Sequence, residues 1–368
     1  MKAISLVTGT KNIRLIDRDE PKVAAPDEVK LRVIRVGICG TDREEAEGGR
    51  CTPPEGKNEL VIGHEMFGQV VEAGEKVSRV QKNDYAVFTV RRGCGECMPC
   101  AMNRSDMCHT GKYRERGIKE MDGYQAEFVV DKEQYIVRVP PELESVGVLT
   151  EPLSVAEKAI DEAIRLQTAR LPDASATPNW LYGKRCLVAG IGAIGLLGAL
   201  VLRLRGAEVF GLDIVDAGTA RPDWLEKIGG KYFDSRKLPA DKIDDELGAM
   251  DLIFEATGVP ALAFNLIDAL DWNGVYVLTG IPGGDRPVEI PGAQLIRDLV
   301  LYNQAMVGSV NAARDHYQMA VDDMQRAHAL WPGHVEKLIT NRFPAAEFQK
   351  AFEGHPTSEI KSVIEWKS

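Results

Sequence analysis

Cys94, Cys97, Cys100 and Cys108 stand two, two and seven residues apart. Four thiolates at that spacing wrap a tetrahedral zinc and leave no coordination position for water, which makes such a site structural. The competing reading is four free buried cysteines. His109 adjoins the last of them, but four sulfurs already complete the sphere. A second constellation is dispersed: Cys39 in GICGTD, and His64 with Glu65 in GHEMFGQVVEAG. Singly, each residue is ordinary core or surface. Together, a thiolate, an imidazole and a carboxylate form a zinc site with an exchangeable position, the kind that catalysis needs. Thr41, two residues beyond Cys39, is close enough in sequence to offer its hydroxyl to an alcohol at such a metal.

A third pattern is Gly190-x-Gly192-x-x-Gly195, in CLVAGIGAIGLLGALVLRLRGAEVFGLDI. The pattern alone is weak, and a glycine-rich helix start is its bland alternative. Here it follows an apolar strand-like run and opens an apolar helix, so it fits a dinucleotide fingerprint, with the pyrophosphate on the helix N-terminus. A second strand ends at Asp213, where an acid hydrogen-bonds the adenosine ribose. A carboxylate there repels an extra phosphate, so NAD is favoured over NADP. Arg221, a few residues on, complicates that preference unless it is a solvated loop arginine.

These residues need elements to hold them. The first 140 or so residues carry short β-like runs at 29–36, 70–73, 85–90 and 126–130, punctuated by Gly and Pro, and suggest an irregular, mostly β domain. Apolar residues at helical spacing follow over 154–166, with Ser154 as a candidate N-cap. The polar, Pro-interrupted stretch 167–179 reads as a surface loop. Strands at 185–189, 208–212, 252–255 and 274–279 then alternate with helical stretches, which implies an α/β, doubly wound parallel sheet. A short helix and a closing strand at 361–366 end the chain. Cys186, inside a strand, reads as core. Cys51, in a polar loop, is a reactive thiol or, by default, inert.

The 368 residues suggest about two domains. A net charge of −10 argues against a nucleic-acid partner. The apolar run 186–202 is short for a membrane span and carries four glycines. No secretory signal is visible, and seven cysteines without one favour metal and a reducing, cytoplasmic setting over disulfides.

In order and spacing, GICGTD, GHE-x2-G-x-V, the four-cysteine lobe and GxGxxG resemble the zinc-containing medium-chain alcohol dehydrogenase superfamily over nearly the whole chain. Many of its members carry a cysteine as third catalytic ligand where TEPLSVAEKA places Glu151. That segment, with RRGCGEC, KEMDGYQAEFVV and VGSVNAARDHY, is similar to the glucose (aldose) 1-dehydrogenases. The resemblance implies a GroES-like catalytic domain (1–155 and 312–368, zinc lobe 93–109) and a Rossmann cofactor domain (156–311). It implies a catalytic zinc on Cys39, His64 and Glu65, with Glu151 binding metal or sugar at different steps. Thr41, Glu115, Glu151 and Asn311 become the sugar-side residues, Asn311 also lying near the nicotinamide. Glu157 and His316 are further contacts or helix-surface residues. Cofactor contacts fall on Gly190, Gly192, Ala193, Ile194, Gly195, Asp213, Thr257, Gly258, Thr279, Gly280, Ile281, Ser309 and Asn311. A homodimer or homotetramer is implied, with a strand around 300–310 pairing between subunits. The expected reaction is oxidation of an aldose at C1 to the lactone. Carboxylates suit a substrate with several hydroxyls. A sorbitol-type polyol dehydrogenase, a threonine-type dehydrogenase and a nucleotide- or redox-sensing binding protein remain the alternatives.

Overall fold

The β-branched run that begins at Val29 forms the strand Glu28–Ile38, the spine of the first sheet. In the computed structural model, which describes residues 1–284, 287–354 and 356–366, this strand pairs antiparallel with Glu65–Ala73, Phe128–Lys132 and Lys361–Glu365. Packing divides the chain into two units. One comprises Met1–Ser154, Asn311–Ala329 and Val335–Ser368; the other comprises Val155–Val310 and Leu330–His334. The short segment Leu330–His334 thus sorts away from the 312–368 range expected for the catalytic domain.

The first unit is mostly β. Beside its seven-stranded sheet lie a three-stranded sheet at the N-terminus and a small sheet of Arg91–Arg92, Arg114–Arg116 and Glu120–Met121. Arg92 and Arg116 both pair with the buried Asp131, at 2.6 and 2.5 Å, and Arg92 also donates to Tyr124 Oη and the Thr89 carbonyl. This network ties the small sheet to the strand Phe128–Lys132. Cys51 is not in a solvated loop. It packs with Ile4, Ile38 and Leu60, and burial pushes its thiol up to about 11, so it is unreactive.

The second unit is a six-stranded, all-parallel sheet. Its strands run, from edge to edge, Lys231–Asp234, Glu208–Asp213, Arg185–Ala189, Met250–Glu255, Leu270–Leu278 and Ala305–Gly308. Cys186, Leu187, Val188 and Ala189 are all fully buried, as a strand covered on both faces requires. The strand order reverses at Arg185–Ala189, which is where such sheets bind ligands. No helix among the described residues is long and apolar enough to cross a membrane.

Two local expectations are corrected. The helix is Thr150–Arg170, so Ser154 lies inside it and bonds back to the Glu151 carbonyl at 2.6 Å instead of capping. The polar stretch after Leu166 is not a loop. The helix continues, Gln167 is buried with its amide on the Asn273 carbonyl, and a further short helix, Pro172–Ala176, follows.

The Arg92 and Arg116 charges hold the Asp131 carboxyl down at about 2 against the cost of its burial. Because the folded value lies below the unfolded one, this stabilisation is complete above about pH 4 and drains away as pH falls towards 2, an effect of roughly 2–3 kcal/mol. Asp131→Asn should cost about 3 kcal/mol at pH 7, since it leaves two buried guanidinium groups short of an anion. It should also flatten the stability profile between pH 4 and 2. Denaturant melts of both proteins across that range test this, and a variant with unchanged midpoints would refute it.

Candidate active site and cofactor site

Cys39 follows the strand Glu28–Ile38 and leads into the helix Gly40–Ala46, whose third residue, Asp42, accepts the Cys39 N–H at 2.8 Å. Glu65 opens the neighbouring strand, with His64 directly before it, and the register sets Glu65 opposite Gly37. A Cβ added at Gly37 would fall 2.0 Å from Glu65 Oε2, so glycine is what lets this carboxylate lie over the sheet. The Cys39, His64 and Glu65 ligand atoms all lie within 4.8 Å of one another. Glu65 Oε2 is buried with no hydrogen-bond partner. A thiolate, an imidazole and an orphaned carboxylate oxygen converging on one point fit a zinc ion with a position to spare. Glu151 does not join that set. It sits, buried, in the first turn of the helix Thr150–Arg170, and burial followed by the nearby Glu65 and Asp42 charges pushes its carboxyl up to about 7, against His64 and Lys361. Thr41 is half-buried in the first turn of the helix that follows Cys39.

Two supporting residues escaped the sequence reading. Asp42 Oδ1 lies 3.5 Å from His64 Nδ1. An acid beside one ring nitrogen is the outer-sphere arrangement that orients a ligating imidazole and raises its basicity. Burial opposes a charged His64, but the Asp42 charge and hydrogen bond, with Cys39, outweigh it and raise its pKa well above the ordinary value. Lys361 is 4% exposed and donates to Glu65 Oε1 at 2.6 Å and to the Ile38 carbonyl at 3.2 Å. Its strand ends the chain, and no local pattern links it to residues 296 positions away.

In the cysteine lobe the four sulfurs also lie within 4.8 Å of one another, with Cys94–Cys100 at 3.9 Å and Cys97–Cys108 at 4.0 Å. Four thiolates about 2.3 Å from a zinc would be spaced by about 3.8 Å, so the sulfur cage fits that ion. The Thr110 hydroxyl and the Glu96 and Cys97 N–H groups bring the Cys94 thiol down to about 6, while burial and the neighbouring Cys97 push the Cys100 thiol up. His109 is exposed and stands outside the set.

Glu115 is 9% exposed, and Arg91 Nε, Arg91 Nη2 and Asn311 Nδ2 all meet its Oε1, at 3.0, 2.9 and 2.7 Å. Asn311 takes a left-handed φ of 63° and its Oδ1 accepts the Ala312 N–H. Glu157 is fully buried and pairs with Arg205 at 3.1 Å, so it is neither a surface residue nor a free ligand. His316 is buried too, its Nδ1 accepting the Ala313 N–H.

In the second unit, Gly190 takes a φ of 84°, and a Cβ at Gly195 would strike the Gly190 carbonyl oxygen at 1.8 Å. Gly192 caps the helix Ala193–Leu204, and a Cβ there would meet nothing within 4 Å, which leaves open space at a helix N-terminus lined by Ala193 and Ile194. Asp213 accepts the N–H groups of Ile191 and Ile214 at 2.9 and 2.7 Å. Arg221 lies not in a loop but in the helix Ala220–Lys227. Glu255, 1% exposed, escaped the sequence reading. Its Oε1 accepts from Thr257 N, Thr257 Oγ1 and Gly258 N, while its carbonyl takes the Thr279 hydroxyl at 2.7 Å. Gly258 and Gly280 approach so closely that a Cβ on Gly280 would lie 2.2 Å from Gly258 N. Ile214, Val259 and Ile281 are exposed beyond the carboxyl ends of three strands of this sheet, and Ser309 is buried beyond a fourth. These features suit a dinucleotide, whose phosphates need backbone N–H groups and whose rings need apolar flanks.

Residues 25–141 match the alcohol dehydrogenase GroES-like domain, and residues 144–366 match the glucose dehydrogenase C-terminus. Glucose 1-dehydrogenase of Methanocella arvoryzae is 36% identical over 367 residues, 99% of each chain. That of Thermoproteus tenax is 36% identical over 357 residues, 96% of each. The chain belongs to the glucose dehydrogenase family. A glucose dehydrogenase of Haloferax mediterranei, solved in complex with NADP, Zn and gluconolactone, superimposes with a TM-score of 0.89 at 34% identity, covering all of both chains. This glucose dehydrogenase family member is therefore a dehydrogenase with an alcohol dehydrogenase GroES-like domain.

For the glucose dehydrogenase fold described here, elemental analysis should find two zinc ions per chain. A Cys100→Ser variant should keep one of them and lose thermal stability. Two zinc ions in that variant, or an unaltered melting temperature, would contradict a structural four-thiolate site.

Proposed function

We propose that this protein oxidises C1 of a cyclic aldose such as glucose to the lactone, with the C1 hydride passing to a nicotinamide. The observation that carries this reading is Glu115. Three donors converge on one of its oxygens, which fixes the carboxylate and leaves Oε2 to accept from a substrate hydroxyl. A polyhydroxylated substrate needs such buried acceptors, whereas an alkyl alcohol would prefer an apolar wall. The relative solved with gluconolactone supports the same substrate class.

The chain's residues divide the work. Cys39, His64 and Glu65 would hold the zinc, which supplies Lewis acidity that makes a substrate hydroxyl easier to deprotonate. Lys361 balances the Glu65 charge, and Asp42 fixes His64. Glu151, its carboxyl raised to about 7 by burial, accepts the hydroxyl proton, with Thr41 available to relay it. The C1–H electron pair leaves as hydride to the nicotinamide, and C1 becomes the lactone carbonyl. Glu115 and Asn311 hold the remaining sugar hydroxyls.

NAD is the favoured acceptor in this reading. Asp213 ends its strand in register with Asp234, and Arg236 nearby is already matched by both Asp234 and Asp216, at 2.7 and 2.5 Å. This surface is therefore net negative and opposes a ribose phosphate. The Haloferax mediterranei relative holds NADP, so the preference rests on these charges alone.

The test is nicotinamide reduction by the zinc-replete protein with aldoses, polyols, threonine and simple alcohols, with NAD and NADP in parallel. Activity on aldoses alone, faster with NAD, is expected. Activity confined to polyols, threonine or alcohols would discard the sugar assignment, silence with zinc and nucleotide bound would favour a sensor, and a preference for NADP would discard the charge argument. Glu151→Gln should lower kcat about a hundredfold with both zinc ions retained. Loss of one zinc instead would make Glu151 a metal ligand and remove it as proton acceptor.

A further inference from the structure

The small sheet that carries Glu115 adjoins the cysteine lobe through its strand Arg91–Arg92. Arg91 pairs in register with Glu115 across the small sheet, and its guanidinium is buried, with 6% of the residue exposed. Nε and Nη2 donate to Glu115 Oε1, while Nη1 donates to the Asp106 carbonyl at 2.8 Å. The Tyr113 ring lies 3.9 Å from the guanidinium carbon. Asp106 belongs to the turn Ser105–Met107 that delivers Cys108, and Arg104 clamps its buried carboxylate at 2.8 Å. Ser105 Oγ donates to the Arg91 carbonyl at 3.4 Å, and a Cβ added at Gly93 would lie 2.4 Å from Cys100 Sγ. Strand and lobe are therefore packed together, and Arg91 is the side chain that bonds to both the lobe's backbone and Glu115.

We propose that Arg91 is a positioning residue through which the thiolate-held lobe sets sugar affinity. The inference rests on the reading of Glu115 as a sugar ligand. A single carboxylate on a short strand has rotamer freedom. Two N–H groups of one planar guanidinium fix which oxygen is occupied, and the Asp106 carbonyl fixes where the guanidinium sits. Asn311 adds a third donor to the same oxygen, at 2.7 Å. A shift of the lobe moves the Asp106 carbonyl, then Arg91, then Glu115 Oε2, and displacements of about 1 Å are enough to weaken a binding geometry severalfold or more. The lobe thus contributes to affinity as well as to stability.

The experiment uses the zinc-loaded enzyme and compares Arg91→Met, Arg91→Lys, Glu115→Gln and the Arg91→Met/Glu115→Gln double variant. Sugar KM, nicotinamide KM, kcat and zinc content are read for each. Arg91→Met should raise sugar KM about tenfold or more, with kcat down less than about threefold, nicotinamide KM unchanged and two zinc ions retained. Arg91→Lys, which keeps the charge but cannot reach both partners, should raise it about threefold or more. In the double variant, removing Arg91 should add less than about twofold to the effect of Glu115→Gln, because the group it positions has already been altered. Full multiplication of the two effects would overturn the proposal, as would an unchanged sugar KM in both Arg91 variants while Glu115→Gln raises it. If Glu115→Gln itself leaves sugar KM unchanged, the reading of Glu115 as a ligand falls and this inference falls with it. Should Arg91→Met not fold, Arg91→Lys decides alone: a raised sugar KM supports the proposal and an unchanged one overturns it.

Discussion

Glu65 carries a carboxylate into the interior of a sheet, where an isolated charge costs several kcal/mol. The site tolerates it through three features of the fold. Gly37 opposite leaves the volume, Lys361 supplies a compensating cation at 2.6 Å, and Cys39 and His64 face the second oxygen. Each depends on strand register. A slip of one residue between Glu28–Ile38 and Glu65–Ala73 would replace Gly37 with a residue bearing a Cβ and turn Glu65 to the other face. The catalytic sheet is thus organised around the placement of one charge. The last strand of the chain is part of that organisation, because Lys361 must arrive before Glu65 is paired.

The two clusters of ligand residues differ in a way that follows from their settings. The cysteine lobe has little core of its own. Pro99 and the helix Met98–Ala101 give it a single turn, and Met98, Met102 and Met107 are exposed. Four sulfurs replace the apolar packing it lacks. The Cys39, His64 and Glu65 group sits instead at the ends of two central strands of a well-packed sheet, which positions all three side chains. Closed coordination goes with the weak scaffold, and open coordination with the rigid one.

How much of this was legible in the sequence depends on distance along the chain. The cysteine lobe, GICGTD, GHE and the glycine fingerprint are local spacings, and the structure gathers the residues of each cluster. The parallel sheet was legible because its strands are continuous apolar runs. Lys361, Asp42, Arg91 and Glu255 were not, since each is a single charged residue whose meaning comes from a partner brought near by tertiary pairing. The helix start differs from the apolar pattern for a related reason. The apolar period begins after Pro152, but the buried Thr150 and Glu151 extend the helix backwards, and that turn is what sets Glu151 in the site. The polar stretch after Leu166 looked like loop because Gln167 and Arg170 are polar, yet both are spent on the backbone carbonyls of Asn273 and Asn303.

Buried acids in this fold separate into three kinds by how their oxygens are satisfied. Asp131 and Glu255 take several donors each and work as fasteners, holding the small sheet and the loops at the carboxyl end of the parallel sheet. Glu65 and Glu115 have one oxygen fully engaged by a cation, and that engagement orients the second oxygen for something outside the fold. Glu45 is the third kind. Neither of its oxygens has a partner, and burial, followed by the charge of Asp42, pushes its carboxyl up to about 9. It is therefore neutral at pH 7 and offers no anionic ligand, although it lies on the same short helix as Asp42. The two acids proposed to serve a site are those with one oxygen gripped by a cation and the other left free of it, Glu65 by Lys361 and Glu115 by Arg91.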